Sequence, residues 1–312
     1  MKIALTGATG FAGGPILRHL LAAGHEVKAL VRRPKDGQFD ARVKITKGDL
    51  DRKDALQTLV SAVDVVVHVA GAISALNESG YFKVNYAGTR NVFEAAQLAR
   101  VKRFINISSI SARNPEISGY AASKRAAEDY LALQADNMDI LTLRPSAIYG
   151  PGDRATLPLI QALQKYIAVI PGQKHARFSL MHVEDFAFVV AQAAASDQTG
   201  LLEIDDAQGG YNWAALAGAN RKLFGRPNRV AYLPRGLVTA VAIASEIGTK
   251  MTGQSGMVNR GKVNELYHGD WVARGPGWPR QNAIGLEQGL AETVTWYRAN
   301  GWLPPSPQAD RR

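Results

Sequence analysis

A short apolar run, Ile3-Ala4-Leu5, gives way to Thr6-Gly7-Ala8-Thr9-Gly10-Phe11-Ala12-Gly13 and then to an apolar-periodic segment. Strand, glycine-rich turn and helix in that order leave few folds open. Gly7 permits the tight turn, Gly10 lets the backbone approach a pyrophosphate, and Gly13 allows the helix to pack closely on the strand. The free N–H groups and positive dipole end of the helix then face the anion. Glycines in a turn can be no more than a turn. Their place between a strand and a helix favours dinucleotide binding, with Thr9, Phe11 and Ala12 completing the loop.

The rest of the first half repeats the alternation. Apolar runs at 2–6, 26–31, 43–47, 64–69, 103–108 and 140–144 read as strands. Helix-period segments fall at 14–23, 53–60, 82–100 and 121–134. Strands apolar on both faces and joined by helices describe a parallel sheet covered on both sides, whose ligands sit beyond the carboxyl ends of the strands. The expected fold is α/β, a doubly wound parallel Rossmann sheet with a smaller, mainly helical C-terminal substrate lobe. Residues 1–150 would form the nucleotide-binding domain, with 180–212 rejoining it. Residues 151–179 and 213–312 would form the substrate lobe, with helices near 184–195, 212–223, 235–250 and 286–299.

Composition narrows the function. The 37 basic against 27 acidic residues give a formal charge of +10, which suits an anionic ligand, but the basic residues are spread along the chain. A nucleic-acid footprint would be clustered, so no nucleic-acid partner is expected. With no cysteine there is no disulfide framework and no thiolate chemistry, and no metal site is expected. No apolar stretch reads as a signal peptide or a membrane span, so a cytoplasmic protein is expected.

Tyr120 and Lys124 lie four apart on a predicted helix, so both side chains leave one face. An ammonium beside a phenol favours the phenolate and would let Tyr120 exchange a proton with an alcohol or ketone oxygen. Ser109, just past the fifth strand, could hydrogen-bond the same oxygen. A solvated Tyr/Lys helix face is the plain alternative, and the position downstream of a phosphate loop favours chemistry.

With these segments in place, the chain resembles an extended short-chain dehydrogenase/reductase of the NAD-dependent epimerase/dehydratase superfamily. The resemblance rests on TGATGFAG at 6–13, GDL at 48–50, HVAG at 68–71 and VNYAGTRNV at 84–92. ISSISA at 107–112, YAASK at 120–124, LRPSAIYGPGD at 143–153, HVEDFA at 182–187 and EQGLAETVTWYRANGW at 287–302 extend it over almost the whole length. It implies a catalytic set of Ser109, Tyr120 and Lys124, with Tyr120 as general acid/base and Lys124 also holding the nicotinamide ribose. It implies that Asp49 and Leu50 meet the adenine and that Val69, Ala70 and Gly71 line the ribose side. Asn85 would lie near the cofactor, and Pro145 and Ile148 would flank the nicotinamide. His182 and Asp185 read as structural residues of a turn, and His68 as a packing residue on the cofactor side.

Departures from the family pattern carry information too. Members preferring NAD place an acid at the end of the second strand; here Val31 is followed by Arg32 and Arg33. Two guanidiniums there suit a 2′-phosphate, so NADP is expected over NAD. The dehydratases follow their catalytic Ser/Thr with Asp-Glu, whereas Ser109 is followed by Ile110 and Ser111, which argues against dehydration. The ten residues between Ser109 and Tyr120 form a shorter loop than in the sugar epimerases. The apolar stretch 233–244 is similar to the matching region of members acting on sterols and flavonols, though a core or dimer helix would look the same. Arg154, Arg177 and Arg226 could meet an anionic group or be plain surface charges.

The expectation is an NAD(P)-dependent oxidoreductase moving hydride between nicotinamide and a carbonyl or secondary alcohol. Its partner would be a small-molecule substrate, possibly apolar, and a homodimer would be the usual arrangement. Two rivals stand: a nucleotide-sugar epimerase with tightly bound NAD, and a non-catalytic nucleotide-binding subunit or sensor. Retention of the Tyr/Lys pair favours an enzyme.

Overall fold

Seven parallel strands form the central sheet of the computed structural model, which describes residues 1–134, 138–225, 229–252, 259–275, 277–278 and 283–305. Six of them are β1 (Lys2–Thr6), β2 (Glu26–Val31), β3 (Val43–Lys47), β4 (Val65–His68), β5 (Arg103–Ile107) and β6 (Asp139–Pro145). The strand Gly200–Ile204 pairs in parallel with β6 at one edge, and the order continues β6-β5-β4-β1-β2-β3. All residues of β4 and β5 are buried, the polar His68, Arg103 and Asn106 included, as in strands covered on both faces.

Two cores account for that burial. On one face, Ile16, Leu17 and Leu20 of α1 (Gly13–Ala22) pack with Phe186, Val189 and Val190 of the helix Val183–Ala194. On the other, Leu56 and Leu59 meet Val92, Phe93 and Ala96 of the helix Gly88–Leu98. Strand order reverses between β1 and β4. The crevice at their carboxyl ends is therefore where a doubly wound sheet receives its ligand.

The helix expected over 82–100 has a different form. A short helix, Glu78–Tyr81, runs into a π-helical stretch, Phe82–Ala87, and only then into regular α-helix. The widened turns seat Asn85, whose side chain makes the contacts described below. Such insertions favour functional positions over regular periodicity.

A third core gathers Tyr149, Ile160, Leu163, Trp213, Leu290 and Tyr297, supplied mainly by the helices Leu157–Leu163, Trp213–Phe224 and Leu286–Ala299. A parallel ribbon joins Ile167–Pro171 to Arg229–Leu233, and a small cluster packs the helix Arg235–Thr252 on the helix Arg260–Leu266. No helix among the described residues is long and apolar enough to cross a membrane.

Candidate active site

The glycine loop is as tight as its sequence demands. Gly7 has φ +78°, and a Cβ there would stand 2.7 Å from the Ala70 nitrogen. A Cβ on Gly13 would stand 2.0 Å from the Gly7 carbonyl oxygen, so only glycine lets the helix start this close to β1. Gly10 N–H donates to Gly7 O at 2.9 Å and closes the turn. The first turn of α1 carries neither a side-chain cap nor an acidic residue. A bare helix N-terminus behind a loop of glycines fits a pyrophosphate. Thr9 is exposed there, while Phe11 and Ala12 are half-buried.

Strand ends set the rest of the rim. Arg32 and Arg33 follow β2 and are both exposed. Asp49 is exposed after β3, its carboxylate accepting from Asp51 N–H at 3.0 Å. Leu50 is half-buried against Gly88, where a Cβ would come within 2.6 Å of it. After β4, Val69 and Ala70 are half-buried and Gly71 exposed. Pro145 ends β6 and is buried; Ile148 packs against the first core and pairs with Met181.

Behind this rim runs a directional chain of buried hydrogen bonds. Ala70 N–H donates to Thr6 Oγ1 at 3.2 Å, and Thr6 Oγ1 lies 2.8 Å from His68 Nδ1. On the far side, His68 Nε2 lies 3.0 Å from Thr89 Oγ1, which donates to Asn85 O at 2.6 Å. Thr89 uses its only proton on Asn85, so His68 must donate from Nε2 and accept from Thr6 at Nδ1. Burial, with Lys124 adding to it, pushes the imidazole down to about 3, which keeps it neutral.

Asn85 is 1% exposed and acts as a clamp. Its Oδ1 accepts from Ala72 N–H at 2.7 Å, and its Nδ2 donates to Ala72 O at 3.0 Å and to Ser123 Oγ at 2.9 Å. The loop after β4 is thereby fixed to the helix Gly119–Ala132, which carries Tyr120 and Lys124.

Ser109, Tyr120 and Lys124 converge. Ser109 starts a short 3-10 turn and accepts from Ser111 N–H at 3.2 Å and Ser111 Oγ–H at 2.9 Å. Its hydroxyl is hydrogen-bonded to Tyr120, whose ring meets the edge of Tyr81 at 6.0 Å between centroids. Ser118 caps the helix, accepting from Ala121 N–H at 3.0 Å and donating to Glu265 at 2.6 Å. Lys124 Nζ donates to Ile107 O at 2.8 Å. Glu128, one turn further on, accepts from Ser108 and from Arg144 Nε and Nη2, the latter two at 2.9 and 2.5 Å.

The electrostatics differ from the sequence expectation. Burial pushes Tyr120 up to about 12, an effect that the Ser109 hydrogen bond only partly offsets. Burial also brings Lys124 down to about 8, with Glu128 pulling the other way. The ammonium is turned to Ile107 O, and desolvation is the largest influence on the phenol. Tyr120 is therefore a neutral phenol near neutral pH, the form that can give a proton to an oxygen.

Other sequence candidates fall elsewhere. The Arg154 guanidinium lies 4.5 Å over the Trp302 ring, and Arg177 donates to Gly209 O at 2.8 Å. Arg226 lies outside the described residues. His182 caps the helix Val183–Ala194, and Asp185 accepts from Ile284 N–H at 2.7 Å, both acting in the packing of that turn. Of the apolar stretch 233–244, Val238 and Ala242 turn inward, while Leu237 and Val241 face out. The Asn85 clamp and the His68 chain were not legible as such, since every partner but Thr89 is distant in sequence and no spacing announces them.

Comparison with known proteins adds four findings. Residues 3–204 match the profile of the NAD dependent epimerase/dehydratase family. The chain is 38% identical over 310 residues to a ceramide reductase of Caulobacter vibrioides, covering 97% of this chain and 96% of that protein. It is 28% identical over 222 residues to a 3 beta-hydroxysteroid dehydrogenase/Delta 5-->4-isomerase of Mycobacterium tuberculosis, covering 62% of this chain and 60% of that one. The fold is similar to the crystal structure of a Thermus thermophilus UDP-glucose 4-epimerase in complex with NAD. That match has a TM-score of 0.70 at 21% identity and covers 96% of this chain and 99% of the epimerase.

Proposed function

The chain belongs to the NAD-dependent epimerase/dehydratase family, and on that premise we propose that it is an NADPH-dependent ketoreductase for an apolar, lipid-like ketone of the ceramide class. It is an oxidoreductase of the extended short-chain type. The observation that carries the finer reading is identity of 38% running through almost the full length of both this chain and the ceramide reductase. Likeness to the sugar epimerase is at the level of fold alone.

In this reading the glycine loop and the start of α1 hold the pyrophosphate of the dinucleotide. Arg32 and Arg33 face the 2′-phosphate. Asp49 and Leu50 border the adenine, and Val69, Ala70, Gly71 and Asn85 shape the ribose side. Pro145 and Ile148 border the nicotinamide. The bound nucleotide supplies hydride. Ser109 holds the substrate oxygen, and Tyr120 donates the proton to that oxygen. Lys124 keeps a positive charge beside the phenol, so that the phenolate left behind is stabilised. Asn85 and His68 act through position, fixing the β4 loop and the catalytic helix to each other.

The enzyme works in the cytoplasm, where reduced nicotinamide is available, with residues 151–179 and 213–312 as the substrate lobe. It pairs through its outer helices, where Leu98 and Leu133 are exposed.

Incubation with each reduced cofactor and a panel of apolar ketones and UDP-sugars tests the reading. We expect stoichiometric loss of reduced-nicotinamide absorbance with the ketones. Conversion of a UDP-sugar with no net cofactor change would transfer the assignment to the epimerase.

A further inference from the structure

Arg113 ends the 3-10 turn Ile110–Arg113, for which Ser109 serves as the cap. Its side chain is 12% exposed and reaches the segment 269–274 of the proposed substrate lobe. That segment contains a short strand, Asp270–Trp271, which pairs in parallel with Arg177–Phe178 and forms an edge of a small sheet. Carbonyls along a strand alternate in direction. Those of Gly269 and Trp271 accept from Arg177 N–H at 2.9 Å and Ser179 N–H at 3.1 Å. Those of Asp270 and Val272 face the other way, beyond the edge of the sheet.

Arg113 takes the place of a further strand there. Its Nη2 donates to Asp270 O at 2.9 Å and its Nη1 to Val272 O at 3.0 Å. A planar guanidinium meets this pair of acceptors with two nitrogens at a fixed spacing, which a single ammonium nitrogen does not.

The remaining partner of Arg113 is a carboxylate. Glu203 accepts from Arg113 Nη1 at 3.0 Å and from Arg274 N–H at 2.8 Å, and pairs with Arg144 Nη1 at 3.5 Å. Arg144 in turn holds Glu128 of the helix bearing Tyr120. Arg113, Glu203, Arg144 and Glu128 thus alternate in sign from the Ser109 turn to that helix, and all four side chains are shielded from water. Removing one member of such a chain leaves a buried charge unpaired, so each is held in place.

The lobe segment is fastened a second time. Trp271 Nε1 donates to Glu265 O at 2.9 Å, while Glu265 and Asn264 bond to Ser118 and to Ile117 O. Residues 264–274 therefore meet the 109–120 connection near both ends, four residues after Ser109 and two before Tyr120.

We propose that Arg113 is a positioning residue: by bonding Asp270 O, Val272 O and Glu203 it fixes the segment 264–274 against the Ser109 turn and sets where a substrate oxygen stands between Ser109 and Tyr120. The proposal rests on the reading of Ser109 and Tyr120 as the groups that meet that oxygen. Arg113 acts through the segment it holds and exchanges no proton.

The test compares Arg113→Lys with Arg113→Met in the full chain. Lysine keeps the buried charge beside Glu203 and loses the fork; methionine loses both. Turnover is followed with whichever substrate the wild type converts, a ketone or a UDP-sugar. In Arg113→Lys, melting temperature and cofactor affinity should stay near wild type. Its kcat should fall about ten- to a hundredfold, the effect of a misplaced substrate, with KM changing less than kcat. Arg113→Met should lose stability as well, because Glu203 loses a charged partner. Hydrogen exchange of the protein without substrate reads the fastening itself. Amides of 264–274 should exchange faster in Arg113→Lys, and those of the central sheet at the wild-type rate. Full kcat in Arg113→Lys would overturn the proposal, since charge alone would then suffice. So would unchanged exchange in 264–274, or a loss of cofactor affinity equal to the loss of kcat. Should the wild type convert no ketone and no UDP-sugar, the reductase reading falls, and the exchange measurement still decides this one.

Discussion

Lys124 Nζ donates to the carbonyl oxygen of Ile107 at 2.8 Å. Ile107 ends β5, and Ser109 stands two residues further on. The bond therefore joins the helix bearing Tyr120 to the strand end bearing Ser109, so the spacing of the three side chains is set by backbone. Asn85 adds a second tie from the same helix, through Ser123, to the loop after β4. The loop after β4, the turn after β5 and the helix bearing Tyr120 are thereby held in one register.

Tyr120→Phe tests the proposed proton donor. The ring still fits against Tyr81, and only the hydroxyl bonded to Ser109 is lost. Turnover should fall by about 10²–10⁴-fold while cofactor affinity and thermal stability stay near wild type. Single-turnover kinetics with reduced cofactor measures this. A variant that keeps its rate would remove Tyr120 from the mechanism.

Lys124 sets the alkaline limit. With Lys124 at about 8 and Tyr120 at about 12, it is the ammonium that is lost first as pH rises. Reduction should decline above about pH 8, long before the phenol ionises. Stability moves the other way. The folded lysine lies below its free value of 10.5, so the unfolded chain holds more protons between about 8 and 10.5, and stability rises with pH across that window. Lys124→Met should lack that rise and be more stable than wild type at neutral pH, because a buried charge has gone. Denaturation midpoints at several pH values read both effects. A variant less stable at neutral pH would contradict the argument.

His68 should give an acid signature. It is neutral in the fold, at about 3 against 6.5 when free. As pH falls from about 6.5 toward 3 the unfolded chain takes up a proton that the fold refuses, and stability is lost over that range. His68→Gln should show a shallower fall with acid than wild type, at the cost of lower stability at neutral pH from broken bonds to Thr6 and Thr89. Urea titrations from neutral to mildly acidic pH make the comparison; parallel slopes would mean His68 is not the group titrating.

Much of the architecture was legible because it rests on local rules. The apolar runs of β1, β2 and β3 have the predicted limits, β5 differs by a residue at one end, and β4 and β6 differ by a residue at each end. The phosphate loop could be read because its glycines answer a steric demand, which the near-contact of Gly13 with Gly7 O makes explicit. What escaped depends on long-range partners. The π-helical stretch at 82–87 follows from Asn85 reaching Ala72 and Ser123, which periodicity does not encode. The phenol was expected to be lowered by its lysine, but depth of burial, invisible in a one-turn spacing, sends Tyr120 upward. The apolar stretch 233–244 was read as similar to a substrate region or as a core or dimer helix, since sequence alone cannot say which of its faces meets the protein.

The proposed preference for NADPH rests on the end of β2. Val31 occupies the place where an acid would accept from a ribose hydroxyl, and Arg32 and Arg33 follow, both exposed at the rim. No hydrogen bond or ion pair engages either guanidinium among the described residues, so both are available to an incoming dianion. A charge-assisted contact of this kind contributes about 1.5–3 kcal/mol, and a carboxylate's absence removes any competing gain for the 2′-hydroxyl. NADPH should accordingly bind roughly ten- to a hundredfold more tightly than NADH, because about 1.4 kcal/mol corresponds to a factor of ten. Arg32→Ala should remove most of that difference by weakening NADPH and leaving NADH almost unchanged, since the loss is confined to the phosphate. Raising salt should narrow the gap in the wild type, as the contact is exposed. Fluorescence titration of both reduced cofactors with both proteins measures all three effects. Tighter binding of NADH by the wild type would mean that the two arginines serve only the surface, and would return the chain to the NAD-preferring members of its family.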